Sequence, residues 1–206
     1  MNEQIHEAIA RLNAEIHTHQ TIDGSFRFCF ENSLMTDANM ILLLQTFTKE
    51  KDLIQQLCAR LSFLQTEEGY WKLYADDEGD LSATIEAVFA LLYAGYYSND
   101  DLPIKKAKAF IRKQGGLNRA HSLTKMTLAI HGQYSWPNLF HLPVHIILLP
   151  PSSPISFYDF SSYARVHMAP ILLLSDQPFV MKNKRTPDMS DCIIRENQEL
   201  IPEESR

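Results

Sequence analysis

Carboxylates are the residues of this chain best placed for chemistry. Asp76-Asp77-Glu78-Gly79-Asp80 sets four of them within five residues, and Glu86 follows inside an apolar run. A carboxyl donates a proton when a water-poor, apolar setting keeps it protonated. An ionised carboxylate in the setting of Glu86 needs a partner, so its expected role is structural, bonding a neighbouring loop or an Arg side chain. Histidines invite a metal reading at His17-x-His19 and His141-x-x-x-His145. The first pair points to different helix faces, the second encloses Pro143, and no third ligand is suggested, so no metal site is expected. Arg119, His121 and Lys125 read as a solvated face. No glycine-rich phosphate loop and no Ser/His/Asp ordering stands out, so neither nucleotide chemistry nor a cofactor is expected.

The elements that carry these residues read as helix after helix. Ile5, Ile9, Leu12 and Ile16 share one face at steps of four, three and four. Thr36 or Asp37 is placed to cap a second helix through Phe47, and a third runs from about Glu50 to Gln65. Ser82 has the chemistry to start a fourth, whose body from Ile85 to Tyr93 is apolar almost all round and so belongs between neighbours. Pro103 opens a fifth and Gly115-Gly116 ends it. A sixth covers about His121 to His131. Five prolines between Pro137 and Pro154 imply short turns and extended chain. A last helix begins at Ser161 or Ser162, with Pro170 kinking or ending its first part. After Phe179 the chain turns polar and loses periodicity, so residues 181–206 are expected to be a poorly ordered tail. No segment alternates as a strand does. The fold class is all-α.

Composition bounds the function classes. The 206 residues are 45% hydrophobic with seven glycines, enough for a real core, which excludes a collagenous or disordered chain. With 19 basic against 25 acidic residues and a formal charge of -6, no global field favours nucleic acid. Three cysteines, Cys29, Cys58 and Cys192, form no framework, so a reducing cytoplasm is the default. The polar N-terminus resembles no secretory signal, and the apolar runs fall short of the ~20 residues that span a bilayer.

A repeat lies in the loops. Gln20-x-x-x-Gly24-x-Phe26 recurs as Gln65-x-x-x-Gly69-x-Trp71, offset by 45 residues at all three positions. Gln114-Gly115-Gly116 is a degenerate third echo. Periods of this size mark helical-hairpin repeats, none of which buries its own face alone. Glycine permits the positive φ that reverses the chain, the glutamine amide is able to bond orphan backbone groups at helix ends, and the aromatic ring buries large apolar area.

These segments resemble the QW repeats of the squalene–hopene cyclases and related class II triterpene cyclases. Asp80-Leu81-Ser82-Ala83-Thr84-Ile85-Glu86-Ala87, Gly115-Gly116-Leu117, Tyr134-Ser135-Trp136-Pro137 and Leu149-Pro150-Pro151 follow the family's order. So does Phe157-Tyr158-Asp159-Phe160-Ser161-Ser162-Tyr163-Ala164-Arg165. Within the family the likeness is greatest to the sporulenol-synthase (tetraprenyl-β-curcumene cyclase) group of bacilli. It extends from the first helix to about Val180.

The resemblance implies an α/α-barrel and a proton-initiated cyclisation of a long isoprenoid, in which aromatic faces stabilise a travelling cation. The substrate is a polyprenoid hydrocarbon, and the full enzyme is cytoplasmic or peripheral to the inner face of the cell membrane. The family's acid lies in an Asp-x-Asp-Asp motif that this sequence does not contain; residues 76–80 have the wrong order and fall in an earlier loop. The chain therefore looks like the N-terminal part of a cyclase, inactive alone, whose partner is the missing C-terminal half. Residues 1–20 are then a first helix belonging to the second barrel, and 21–180 the inserted barrel domain. The resemblance places Tyr163 and Asn39 at the substrate cavity and no catalytic residue in this chain. Gln20, Gly24, Phe26, Gln65, Gly69, Trp71, Gln114 and Gly115 are its structural motif positions. A non-catalytic helical-repeat binding module, or a truncated remnant, stays open as an alternative.

Overall fold

A computed structural model describes residues 2–26, 34–74, 76–136 and 143–194. Among them the chain forms seven α-helices: α1 (Asn2–Thr18), α2 (Leu34–Thr46), α3 (Lys51–Phe63), α4 (Leu81–Ala94), α5 (Leu102–Lys113), α6 (Ser122–Ile130) and α7 (Ser162–Asp176). Short 3-10 turns fill several connections, and the described residues hold no strand beyond the isolated bridge Gln20–Phe26. The all-α expectation holds. Two compact units divide the chain at residues 32 and 33. The first holds α1 and the loop after it. Ile5, Ile9, Leu12 and Ile16 form the expected stripe on α1, and each is at least 47% exposed.

In the second unit α4 is the axis. Every residue from Ala83 to Tyr93 is buried, because neighbours cover it on all sides: α2, α3, α5 and α6 each pack against it. Burying Ile85, Val88, Phe89, Leu91 and Tyr93 stabilises the unit by roughly 1.5–3 kcal/mol apiece. Asp80 caps α4, accepting from Ala83 N at 2.6 Å. Ser82 is therefore not the cap; it lies inside the first turn and its hydroxyl receives His121 N. Gly95, at φ 71°, ends the helix as a left-handed residue.

Asp37 departs from its expected capping role as well. Helix α2 begins three residues earlier, and the buried Asp37 pairs with Arg60 of α3. Burial of a carboxylate is tolerated where a guanidinium meets it. Pro103 stands in the first turn of α5 as its fixed φ favours. Pro170 neither ends nor splits α7, which continues to Asp176. A smaller apolar cluster of Ile146, Phe157 and Leu172 joins α7 to the turns at 144–148 and 157–159.

The expected loose tail is corrected for residues 181–194. Met181 N donates to Ile130 O, Asn183 Nδ2 to Tyr93 Oη at 2.6 Å, and Met189 N to Gln133 Oε1 at 3.0 Å. Lys108 Nζ meets Asp191 at 2.8 Å, and Asn118 Nδ2 reaches Ile194 O at 2.6 Å. Met189 and Cys192 are fully buried. Too few apolar residues recur here to show a helical face, yet two buried side chains anchor an extended strap when several of its polar groups find partners on α4, α5, α6 and the loops beside them. Residues 195–206 lie outside the described part. So does Cys29, whereas Cys58 and Cys192 are buried thiols.

Gly69 and Gly95 separate backbone strain from close packing. Both hold a positive φ, but a Cβ on Gly69 would meet Lys106 Cβ at 2.3 Å, while one on Gly95 meets nothing within 4 Å. Gly95→Ala is expected to cost about 1–2 kcal/mol, the left-handed penalty alone. Gly69→Ala is expected to cost clearly more, read as the drop in thermal midpoint by circular dichroism; equal drops would show that the approach to α5 is not tight.

Candidate functional site

The two motif loops repeat one hydrogen-bond pattern at the 45-residue offset. Gln20 Nε2 donates to Gly24 O at 3.0 Å, and Gln65 Nε2 to Gly69 O at 2.8 Å. Thr21 follows Gln20 as Thr66 follows Gln65, and each closes the loop alike. Thr21 N and Oγ1 both donate to Ser25 O, and Thr66 N and Oγ1 both donate to Tyr70 O. Gly24 N and Gly69 N return to the threonine carbonyls. The glutamine thus bonds a carbonyl of its own loop rather than only a helix end. The threonines are functional parts of the motif that the Gln-Gly-aromatic reading omits, although they share its register in sequence.

What differs is the depth of burial. Trp71 is fully buried, and its Nε1 donates to Leu61 O at 2.7 Å; Phe26 is 45% exposed. Gln65 also reaches Pro103 O at 3.0 Å, which ties the loop to α5. At the third echo Gly115 and Gly116 both keep positive φ, but Gln114 is exposed and its side chain forms no hydrogen bond among the described residues. In place of a motif contact, Gly116 accommodates the carbonyl of Cys192 from the strap, to which a Cβ would stand at 2.4 Å.

A buried polar seam runs between α4 and α6. Thr124 Oγ1 donates to Glu86 Oε1 at 2.5 Å, while Glu86 Oε2 is buried with no partner. The partner is a threonine hydroxyl, not the expected loop or Arg. Burial pushes the Glu86 carboxyl up to about 6, the Thr124 bond opposes this, and Asp80 adds to it. Seven residues after Thr124, His131 Nδ1 donates to Thr127 O at 2.8 Å, leaving Nε2 buried and unpartnered. Its ring stands edge-on to Phe89 and Tyr93, at 5.1 and 5.4 Å between centroids. Burial lowers the His131 pKa against the opposing bond to Thr127 O. The seam therefore holds both side chains towards their neutral forms, an acid able to keep its proton and a base reluctant to take one.

The residues assigned to a substrate cavity are not brought together. Tyr163, on α7, is 77% exposed and stacks obliquely on His167 at 4.3 Å. Asn39, on α2, is exposed. Each sits on an uncovered apolar stripe: Met40, Leu43 and Phe47 beside Asn39, Val166 and Leu173 along the face of Tyr163. Of the histidines first read as metal candidates, His19 bonds Glu15, His145 is exposed, and His141 lies outside the described residues.

The described residues of the second unit form an all-helical domain, and glutamine-glycine-aromatic loops follow α1 and α3. The sequence profile of the squalene-hopene cyclase N-terminal domain matches residues 9–205. The chain belongs to that family. It is 38% identical over 188 residues to a sporulenol synthase of Bacillus subtilis, which covers 89% of this chain and 30% of the relative. A squalene–hopene cyclase of Alicyclobacillus acidocaldarius is 32% identical over 162 residues, 77% of this chain and 26% of its own. One of Zymomonas mobilis is 30% identical over 188 residues, 90% and 28%. The chain thus spans less than a third of the length of these curated relatives.

Glu86 gives the seam a measurable pH signature. Its folded pKa, about 6, exceeds the ordinary 4.5, so the native state binds the proton more tightly than the unfolded chain. That stabilisation is complete below 4.5 and is lost as pH rises through about 6, a swing of about 2 kcal/mol. His131 acts oppositely, costing stability as pH falls below its ordinary 6.5. In Glu86→Gln the decline on raising pH is expected to vanish and only the His131 slope to remain, as read by urea denaturation across this range. Parallel profiles for the two proteins would exclude Glu86 as the source.

Proposed function

We propose that this chain acts as the N-terminal portion of a class II polyprenoid cyclase. Such an enzyme protonates a squalene-like or tetraprenyl-β-curcumene substrate and carries the cation through ring closure. The match of residues 9–205 to the cyclase N-terminal domain carries this reading. The identity of 38% to sporulenol synthase favours a substrate of the kind that group takes. In this proposal the chain supplies scaffold and cavity wall, and the remaining part of the enzyme supplies the proton donor.

The uncovered stripes support that division. The apolar side chains along α2 and α7 are a poor surface to present to water, and contiguous exposed apolar patches of this kind mark interaction sites. Covered by the rest of a cyclase, Tyr163 and Asn39 would line the space between the parts. Tyrosine there offers a ring face to a cation and a hydroxyl besides; Asn39 offers an amide that holds but does not donate a proton as an acid would. No helix among the described residues is long and apolar enough to cross a membrane, and an enzyme acting on a hydrocarbon substrate would collect it as a peripheral protein at the inner face of the cell membrane.

A chimera tests the proposal directly. This chain is put in place of the matching segment of the Bacillus subtilis sporulenol synthase, and products from tetraprenyl-β-curcumene are read by gas chromatography with mass spectrometry. The chimera is expected to cyclise, and the chain by itself to yield no cyclised product from this substrate or squalene. In the chimera, Tyr163→Ala is expected to lower turnover at least about tenfold, the order of one lost cation–π contact in a desolvated site. A folded but inactive chimera, or cyclisation by the chain alone, would overturn the assignment.

A further inference from the structure

Cations gather at one place in this acidic chain without acids to meet them. Beside the α2–α3 turn lies a pocket of about 290 Å3 whose charged lining is Lys49, Lys51 and Arg185. Gln45, Gln55 and Thr48 add neutral polar groups, and Ile54 and Ala94 complete the wall. Lys49 comes from the turn, Lys51 from the start of α3 and Arg185 from the strap, which folds back over the helices to bring the third cation here. None of the three cations forms an ion pair among the described residues. Glu50 and Asp52 adjoin Lys51 in sequence, yet neither lines the pocket. Lys182 and Lys184, both exposed, extend the positive charge along the strap.

A second pocket provides the contrast. About 350 Å3 in volume, it lies between α5 and the strap and also holds three cations, Lys105, Lys108 and Arg112. There Asp191 takes both Lys108 and Arg112, and Asp100 takes Lys105. Lys108 and Arg112 thus hold the strap down, and Lys105 is paired within the segment that opens α5. At the α2–α3 pocket the positive charges face one another across a concavity, and their mutual repulsion is relieved by an anion entering it. The formal charge of -6 over the whole chain makes this local excess a placement rather than a background.

We propose that the pocket of Lys49, Lys51 and Arg185 binds a multiply charged oxyanion, a phosphate or diphosphate group, either free or as the headgroup of an anionic lipid. Three cations suit more than one negative charge, the Arg185 guanidinium offers a fork that matches tetrahedral oxyanions, and the glutamine amides and threonine hydroxyl supply further donors. The inference goes beyond the cyclase reading and does not depend on it, since no isoprenoid chemistry enters the argument.

Calorimetric titration of the protein with inorganic pyrophosphate and inorganic phosphate tests the free anion. Flotation with phosphatidylcholine vesicles, with and without phosphatidylglycerol, tests the headgroup. Binding is expected to weaken about tenfold or more in Arg185→Gln, the order of one lost charge-assisted hydrogen bond, and further in Lys49→Gln/Lys51→Gln. It is also expected to fall with added salt. The matched variant Lys105→Gln/Lys113→Gln removes the same charge elsewhere and is expected to bind as the parent does. Saturable pyrophosphate binding assigns a free anion, and selective flotation with phosphatidylglycerol vesicles a headgroup; either result, lost in the pocket variants alone, sustains the proposal. Absence of both, or equal loss in the matched variant, overturns it. Arg185 is exposed and outside the helices, so Arg185→Gln decides the matter even where the double variant does not fold.

Discussion

One loop holds the second unit together. Between Gln65 and Trp71 the chain leaves α3, reverses at Gly69 and delivers an indole into the core. Trp71 Nε1 donates to Leu61 O in α3, and its backbone N donates to Thr84 Oγ1 in α4. Gln65 crosses to Pro103 O in α5, and Gly69 lies against the Lys106 backbone. Three helices are thus registered by seven residues. Each contact is modest alone, since a net hydrogen bond is worth about 1 kcal/mol. Their joint demand is geometric: a larger residue at the reversal or a smaller ring at its end would release α4 from α3 and α5 together.

The polar seam between α4 and α6 depends on that registration. Helix α4 is buried all round only because neighbours stand on every side, and Glu86 is carried inward with its apolar companions. Thr124 meets one carboxylate oxygen and leaves the other unanswered. A half-satisfied buried carboxyl is destabilising at neutral pH, which is why its titration is displaced towards the protonated form. Such costs are retained where a fold serves more than its own stability. The outer faces of α2 and α7 likewise carry exposed apolar residues, among them Leu43, Val166 and Leu173.

The family relationship and the strap lie at different levels of the structure. Membership rests on a pattern that spans nearly the whole chain and on the repeat loops within it. The strap, by contrast, reaches α4, α5 and α6 through single polar contacts, among them Asn183 to Tyr93 and Asp191 to Lys108. It is the strap that divides the two cationic pockets into one that is internally neutralised and one that is not.

The helical periods, the all-α class, the shared register of the two motif loops and the full burial of α4 were all legible in the order of residues along the chain. These are local or near-local properties: a stripe at 3.6-residue spacing, a proline at a helix start or a glycine at a reversal needs no distant partner to be recognised. Long-range packing was needed to show that Asp37 pairs with Arg60 instead of capping, that Glu86 meets Thr124, and that residues 181–194 pack against the helices. It also decided that Lys49, Lys51 and Arg185 share a pocket while Lys108 and Arg112 are neutralised. The reason is physical. Charge pairing and polar satisfaction depend on which groups long-range packing brings within about 3 Å, and residues 23 or 83 positions apart in the chain, as in these pairs, have no local signal to announce that meeting.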